Sequence, residues 1–241
     1  MEQFPVHYSA YLFDLDGVLT PTADLHRSAW ADLFGPFLQI RGASPYTDDD
    51  YYKLIDGRNR YEAVEAVLAS RNLSLPYGNP SEPGGLTTVC GLGNLKDAMF
   101  HRALRTHPLE AYPGSLRLLE TLRSDKVPIG VVSASRNAKL VLESAGLSDM
   151  FGVIIDGLVA GQFHLPGKPA PDTYLEAARR LEVRPSQTAL VEDALSGVEA
   201  GRAGGFNPVI GVDRGAGRQA LLAHGATLVV NDLDELLPWK A

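Results

Sequence analysis

Three short apolar runs in this chain each stop on a residue that can carry chemistry. Residues 8–13 stop on Asp14, 127–132 on Ser133, and 188–191 on Glu192 and Asp193. Runs of this length read as buried strands. Further strands are expected at 153–155, 208–212 and 227–230, with helices at 115–125, 136–145, 171–181, 195–203 and 218–223. Such alternation predicts an α/β fold, a doubly wound and mostly parallel sheet with helices on both faces. The carboxyl ends of parallel strands open onto one crevice, so the three endings are expected to meet there.

The stretch Asp14-Leu15-Asp16-Gly17-Val18-Leu19-Thr20 is the richest of the three. Two carboxylates two residues apart suit phosphoryl transfer, in which one attacks phosphorus and the other shuttles a proton. Gly17 lets the backbone turn sharply away from the strand. A lone Asp-x-Asp-Gly more often ends a strand in a simple turn, and an EF-hand is disfavoured because Val18 stands at its third ligand position. The other pieces alter the balance. Asp14 and Asp193, with Glu192, offer hard oxygen ligands for Mg2+. Lys168, in Gly167-Lys168-Pro169-Ala170-Pro171-Asp172, can add a second positive charge, and Ser133 can donate to a phosphoryl oxygen. Taken singly, Lys168 reads as a solvated lysine, Ser133 as a helix cap and Glu192-Asp193 as a turn. All four in this order form a complementary set for a dianionic phosphate.

Composition narrows the class. The chain has 241 residues, 45% of them hydrophobic, and a formal net charge of −7. That charge argues against a nucleic-acid binder. No uncharged apolar stretch approaches the roughly 20 residues needed to span a bilayer, so no membrane partner is expected. Met1 to Pro5 lacks the basic and apolar regions of a signal peptide, and Cys90 is the only cysteine. Both fit a cytoplasmic location, with Cys90 a packing residue and not a nucleophile. Residues 23–40, 48–55, 60–70 and 94–106 read as helices, with a long irregular Pro/Gly-rich connection at 71–93. They make 21–107 a helical domain inserted after the first strand, leaving 1–20 and 108–241 as the α/β core. Hinges are expected near Thr20-Pro21-Thr22 and near 108–113.

The four motifs, continued through Ser133-Ala134-Ser135-Arg136-Asn137 and Val191-Glu192-Asp193-Ala194-Leu195-Ser196-Gly197, resemble the haloacid dehalogenase superfamily, and most closely its beta-phosphoglucomutase-like branch. The resemblance implies a Rossmann-like core with an inserted helical cap. It implies Asp14 as the nucleophile that becomes an aspartyl phosphate, Asp16 as acid and base, and Ser133 and Lys168 as partners of the phosphoryl group. The metal, Mg2+, would be held by Asp14, Glu192, Asp193 and the Asp16 backbone carbonyl. Dehalogenase-type and phosphonatase-type members lack the second carboxylate, so Asp16 points to phosphate esters. In the cap the resemblance singles out His26 to hold Asp16, Arg60 to clamp a distal phosphate and Lys96 to contact the sugar or its phosphate. Arg58 stands two residues from Arg60 and is an alternative clamp. Thr22, Ala134, Arg136 and Asn137 complete the implied substrate contacts. The implied substrate is a small sugar phosphate and the implied assembly a monomer. As a mutase the enzyme would interconvert beta-glucose 1-phosphate and glucose 6-phosphate, primed by glucose 1,6-bisphosphate. The alternative is a sugar-phosphate phosphatase using the same core.

Overall fold

The computed structural model describes residues 8–106 and 109–237. The expectations at Met1 to Pro5 and at Pro108 lie outside them. Among the described residues the chain forms two compact units. One runs up to Pro21 and resumes at Glu110, and the other is Thr22–Leu109.

The first unit is built on a six-stranded, wholly parallel sheet. Its strands are β1 (Ala10–Phe13), β2 (Ile129–Val132), β3 (Val153–Ile155), β4 (Thr188–Glu192), β5 (Val209–Val212) and β6 (Leu228–Val230). Their spatial order is β3-β2-β1-β4-β5-β6. β1, buried at every residue, lies between β2 and β4, with Phe13 opposite Val131 on one side and Val191 on the other. Strands buried on both faces need unbroken apolar runs rather than alternation, and that is how these runs read in the sequence. The helices of this unit are α5 (Pro113–Ser124), α6 (Ala138–Ser144), α7 (Gly157–Gln162), α8 (Asp172–Arg180), α9 (Leu195–Ala203) and α10 (Arg218–His224). Leu12, Tyr174, Leu190, Val198, Val209 and Leu221 belong to one continuous core. The strand order changes direction at β1 and β4, which makes their carboxyl ends the place for a ligand.

The second unit is helical. It comprises α1 (Thr22–Ile40), a short helical stretch α2 (Asp48–Asp50) that runs into a π-helical turn at Tyr51–Ile55, α3 (Arg60–Ala69) and α4 (Val89–Thr106). α1 buries Ala29, Trp30, Leu33, Phe34, Phe37 and Leu38, a helical-period stripe. This stripe packs with Val64, Val67 and Leu92 into a separate core. Burying each such large side chain contributes about 1.5–3 kcal/mol.

Two expectations need correction. α4 begins at Val89, not at residue 94, so the irregular segment is shorter than its composition suggests. The Thr88 hydroxyl accepts a hydrogen bond from the Gly91 amide at 2.9 Å and caps this earlier start. Gly93 lies against the Tyr61 ring, where a Cβ would crowd the ring at 2.8 Å. These glycines therefore serve helix packing and not chain reversal. The second is α7, a helix that the sequence pattern does not announce. Asp156 Oδ1 creates it by accepting from the Leu158 and Val159 amides at 3.0 and 2.8 Å.

The same capping logic gives a test in the second unit. Asn59 Oδ1 accepts from the Tyr61 and Glu62 amides, both at 3.1 Å, at the start of α3. Asn59→Ala should destabilise the fold by about 1 kcal/mol and Asn59→Ser by much less. Urea unfolding midpoints check this, and equal midpoints for wild type and Asn59→Ala would contradict it.

Candidate active site

Asp14 follows the last residue of β1, and its amide donates to the Val191 carbonyl of β4 at 2.9 Å. The ladder that pairs the two strands therefore also fixes the nucleophile candidate. Glu192 is the last residue of β4, and Asp193 follows it. Lys168 comes from the segment before α8. These four side chains are buried, with Lys168 only 2% and Glu192 0% exposed. One ammonium joins them, as Lys168 Nζ donates to Asp14 Oδ1 at 2.5 Å and to Glu192 Oε1 at 2.6 Å.

Glu192 is saturated with donors. Its Oε1 also accepts from the Tyr174 hydroxyl at 2.8 Å, and its Oε2 accepts from the Asp193 and Ala194 amides, each at 3.0 Å. Tyr174 joins the candidate site without having been expected from the sequence. It sits six residues after Lys168, on the first turns of α8, and its ring lies 4.9 Å from Lys168 Nζ. Burial, reinforced by the Glu192 charge, holds its phenol well above the usual range, so it stays protonated and donates.

Asp16 has different company. It is half-buried, and its Oδ2 accepts from the Ser133 hydroxyl at 3.2 Å. The Ser135 amide donates back to Ser133 Oγ at 3.1 Å, which orients that hydroxyl. The two carboxylates of the Asp-x-Asp motif are thus separated by partner, Asp14 to an ammonium and Asp16 to a hydroxyl. Ala134 and Asn137 are half-buried beside them in sequence, and Arg136 is exposed.

Electrostatics show what the cluster lacks. Burial pushes the Asp14 carboxyl well above the usual carboxylate range. Lys168 pulls it back only in part, and Glu192 and Asp16 push it further. Burial also works against the Lys168 charge, but Asp14 and Glu192 outweigh it and hold its pKa well above the ordinary lysine value. Burial leads the shift at Asp14, and the buried carboxylates add to it while holding Lys168 charged. Asp14, Glu192 and Asp193 each present a ligand atom, all within 4.8 Å of one another. An all-oxygen, net-negative set of this kind fits a hard divalent cation, whose charge would reverse the upward shift at Asp14. Two glycines keep the set open. A Cβ at Gly17, where φ is +88°, would overlap the Asp193 carboxylate, and one at Gly197 would overlap the Glu192 carboxylate.

The residues singled out in the second unit have partners of their own within it. The Lys96 ammonium contacts His26 Nδ1. An ammonium can only donate, so Nδ1 accepts and the proton of the neutral ring sits on Nε2. The His26 ring stacks on Phe100 at a centroid distance of 4.0 Å. Lys96 is 5% exposed, with Trp30 and Phe100 rings 4.9 and 5.3 Å from its Nζ. The Arg60 guanidinium pairs with Asp97 at 2.8 Å. Thr22, wholly buried, opens α1. Arg58 stands in the turn before α3 and is half-buried.

Gly197→Ala tests the cradle. The added methyl must displace the Glu192 carboxylate or shift α9, an overpacking cost of about 1–3 kcal/mol. Phosphatase turnover on an aryl phosphate should fall at least tenfold while the circular dichroism spectrum is retained. Wild-type turnover in the variant would show that Glu192 does not need its observed position.

Comparison with known proteins gives the family. The family model for haloacid dehalogenase-like hydrolases matches residues 8–205. A beta-phosphoglucomutase of Mycobacterium bovis is 44% identical over 97% of this chain and 93% of its own length. One from Bacillus subtilis is 33% identical over 94% of this chain and 91% of its own length. Among solved structures, a beta-phosphoglucomutase from Clostridium difficile superposes with a TM-score of 0.78 at 28% identity, covering 96% of this chain and 94% of that one. With its six parallel strands and its acidic cluster at the β1–β4 switch, the chain is an enzyme of the haloacid dehalogenase superfamily and belongs to its beta-phosphoglucomutase-like branch.

Proposed function

We propose that this enzyme is an Mg2+-dependent phosphotransferase interconverting beta-glucose 1-phosphate and glucose 6-phosphate through an aspartyl phosphate on Asp14. The observation that carries the reading is the division of partners at the Asp-x-Asp motif. Lys168 holds Asp14 as an oriented, charge-compensated nucleophile, while Ser133 holds Asp16 where a proton can be exchanged. A carboxylate oxygen of Asp14 attacks phosphorus and the ester P–O bond breaks. Asp16 gives its proton to the leaving sugar oxygen. With beta-glucose 1-phosphate in place of the departed product, Asp16 takes a proton from its 6-hydroxyl as that oxygen attacks the aspartyl phosphate and the bond from phosphorus to Asp14 breaks. The bisphosphate so formed reorients before its other phosphoryl group passes to Asp14. Glucose 1,6-bisphosphate is both the priming donor and the intermediate. Asp14, Glu192 and Asp193, with the Asp16 backbone carbonyl, are the residues that would hold Mg2+. When bound, the ion neutralises the charge between nucleophile and phosphate.

The helical unit acts in this reading as a cap that excludes water from the aspartyl phosphate. Thr20-Pro21-Thr22 and the return connection at 108–113 are its hinges. Arg60 clamps the distal phosphate, since a guanidinium suits bidentate phosphate binding. It must then exchange or share Asp97. Lys96 fixes His26, whose Nε2 proton would hold Asp16. Thr22, Ala134, Arg136 and Asn137 line the sugar-phosphate path. The enzyme works as a cytoplasmic monomer in this reading. No helix among the described residues is long and apolar enough to cross a membrane.

The deciding experiment supplies beta-glucose 1-phosphate, Mg2+ and a trace of glucose 1,6-bisphosphate, and follows glucose 6-phosphate together with free phosphate. Bisphosphate-dependent isomerisation with little phosphate release is expected. Stoichiometric phosphate without isomerisation of any hexose phosphate overturns the mutase reading in favour of a phosphatase.

Side-chain variants test each role. Asp14→Asn should abolish phosphoenzyme formation with the fold intact, and near-normal turnover would exclude Asp14 as nucleophile. Arg60→Ala should weaken the bisphosphate by about 1.5–3 kcal/mol, the value of a charge-assisted hydrogen bond. Aryl phosphates, which have no second phosphate, should be nearly unaffected. Equal losses for both ligands would remove Arg60 from the distal site.

A further inference from the structure

The catalytic cluster accounts for Lys168, Ser133 and the acidic groups, but it leaves a second guanidinium hub unexplained. Arg214 lies just beyond β5, far in sequence from the Asp-x-Asp motif. Its Nε donates to the Gly17 carbonyl at 3.1 Å. Its Nη1 donates to the Asn231 carbonyl at 2.9 Å, and its Nη2 reaches Asp232 Oδ2 at 3.4 Å. The guanidinium carbon stands 4.0 Å from the centroid of the Tyr112 ring. One side chain therefore ties together the turn after Asp16, the end of β6 and the segment leading into α5.

The turn it touches is the one that carries Asp16. The Gly17 amide donates to the Thr20 carbonyl at 2.8 Å, and Gly17 faces the Asp193 carboxylate with no room for a Cβ. Tyr112 is also attached to this turn, because its amide donates to the Leu19 carbonyl at 2.9 Å. Ser115 Oγ adds a bond of 2.7 Å to the Val18 carbonyl. The chain leaves the first unit after Pro21 and re-enters it at Glu110. Both crossings are thus within four residues of groups that Arg214 holds.

We infer that Arg214 is a positioning residue that locks the Asp16 turn against movement of the two chain crossings. The acid–base carboxylate must keep its geometry to within about half an ångström to transfer a proton well. It sits on a loop whose far end is a hinge in the proposed function. An anchor that is bonded to the turn's carbonyl and stacked on the returning segment holds one side of that loop to β6 while the other side moves. A lysine cannot replace it, since only a planar guanidinium can donate in three directions and stack at once.

The inference rests on the reading of Asp16 as acid and base for its kinetic consequence, so two independent readouts are needed. Amide hydrogen exchange in the metal-free protein does not depend on that reading. In Arg214→Met, exchange at the Gly17 and Tyr112 amides should accelerate at least tenfold, with β4 and β5 unchanged. Unchanged protection at both amides, or an equal acceleration throughout the protein, overturns the inference. The second readout compares leaving groups, with Asp16→Ala measured in parallel. Arg214→Met should lose roughly 10- to 100-fold on a sugar phosphate and only a few-fold on an activated aryl phosphate, the pattern of Asp16→Ala in milder form. Arg214→Lys should recover little of either. Should Asp16→Ala show the leaving-group bias and Arg214→Met lose both substrates equally, the positioning role fails. Should Asp16→Ala itself show no bias, the acid–base reading of Asp16 fails, and the exchange result alone decides on Arg214.

Discussion

The Lys168 ammonium is the interaction on which the site depends. It sits between Asp14 and Glu192, the groups at the ends of the two central strands, and removing its charge would leave two buried carboxylates facing each other. An unpaired buried charge costs several kcal/mol. The fold therefore needs Lys168 for its own integrity as well as for chemistry. β1 and β4 are neighbours at every residue from Ala10 to Phe13, so their ends cannot avoid bringing Asp14 and Glu192 together. The ammonium is what makes that convergence tolerable, and the remaining negative excess is what makes the site attractive to a cation and then to a phosphate.

The division between Asp14 and Asp16 follows from backbone direction. Asp14 still continues the ladder, as its amide bonds to Val191. Two residues on, past a bend at Leu15, the chain has left the ladder and Asp16 meets Ser133 beyond the end of β2. Groups two residues apart on a straight strand would share one face and one environment. The bend breaks that equivalence and lets one carboxylate be compensated by an ammonium while the other meets a hydroxyl.

Much of this was legible in the sequence because the strands are short, apolar and end on their functional residues. The parallel sheet, β3 at Val153–Ile155, α9 at Leu195–Ala203 and the acidic set at Asp14, Glu192 and Asp193 were all expected in place. What escaped notice depends on long-range partners or on side-chain capping. α7 exists because Asp156 caps it, and Gly-Leu-Val-Ala-Gly-Gln has too little periodicity to announce a helix. The early start of α4 was hidden by Gly91 and Gly93, whose role is close packing. Tyr174 could have been found from its place just past the Lys168 motif, as a residue with an apolar ring and a polar tip at the start of α8. Arg214 could not, since 197 residues separate it from the carbonyl it binds.

The helical unit follows the same rule as the core, in that Lys96 and Arg60 each hold a partner within it. Lys96 lies against His26 and between two aromatic rings, and Arg60 lies against Asp97. A buried cation without a partner would be as costly here as at Lys168. The partners differ in kind, however. His26 meets Lys96 as an acceptor nitrogen, whereas Arg60 meets a carboxylate. Asp97 neutralises Arg60. In the proposed function, gaining Arg60 for a distal phosphate requires a more strongly charged competitor than Asp97. A dianionic phosphate is such a competitor, whereas a neutral sugar hydroxyl is not. In the proposed mutase reading that competitor is the second phosphate of a bisphosphate, which a phosphatase acting on a monophosphate would not need.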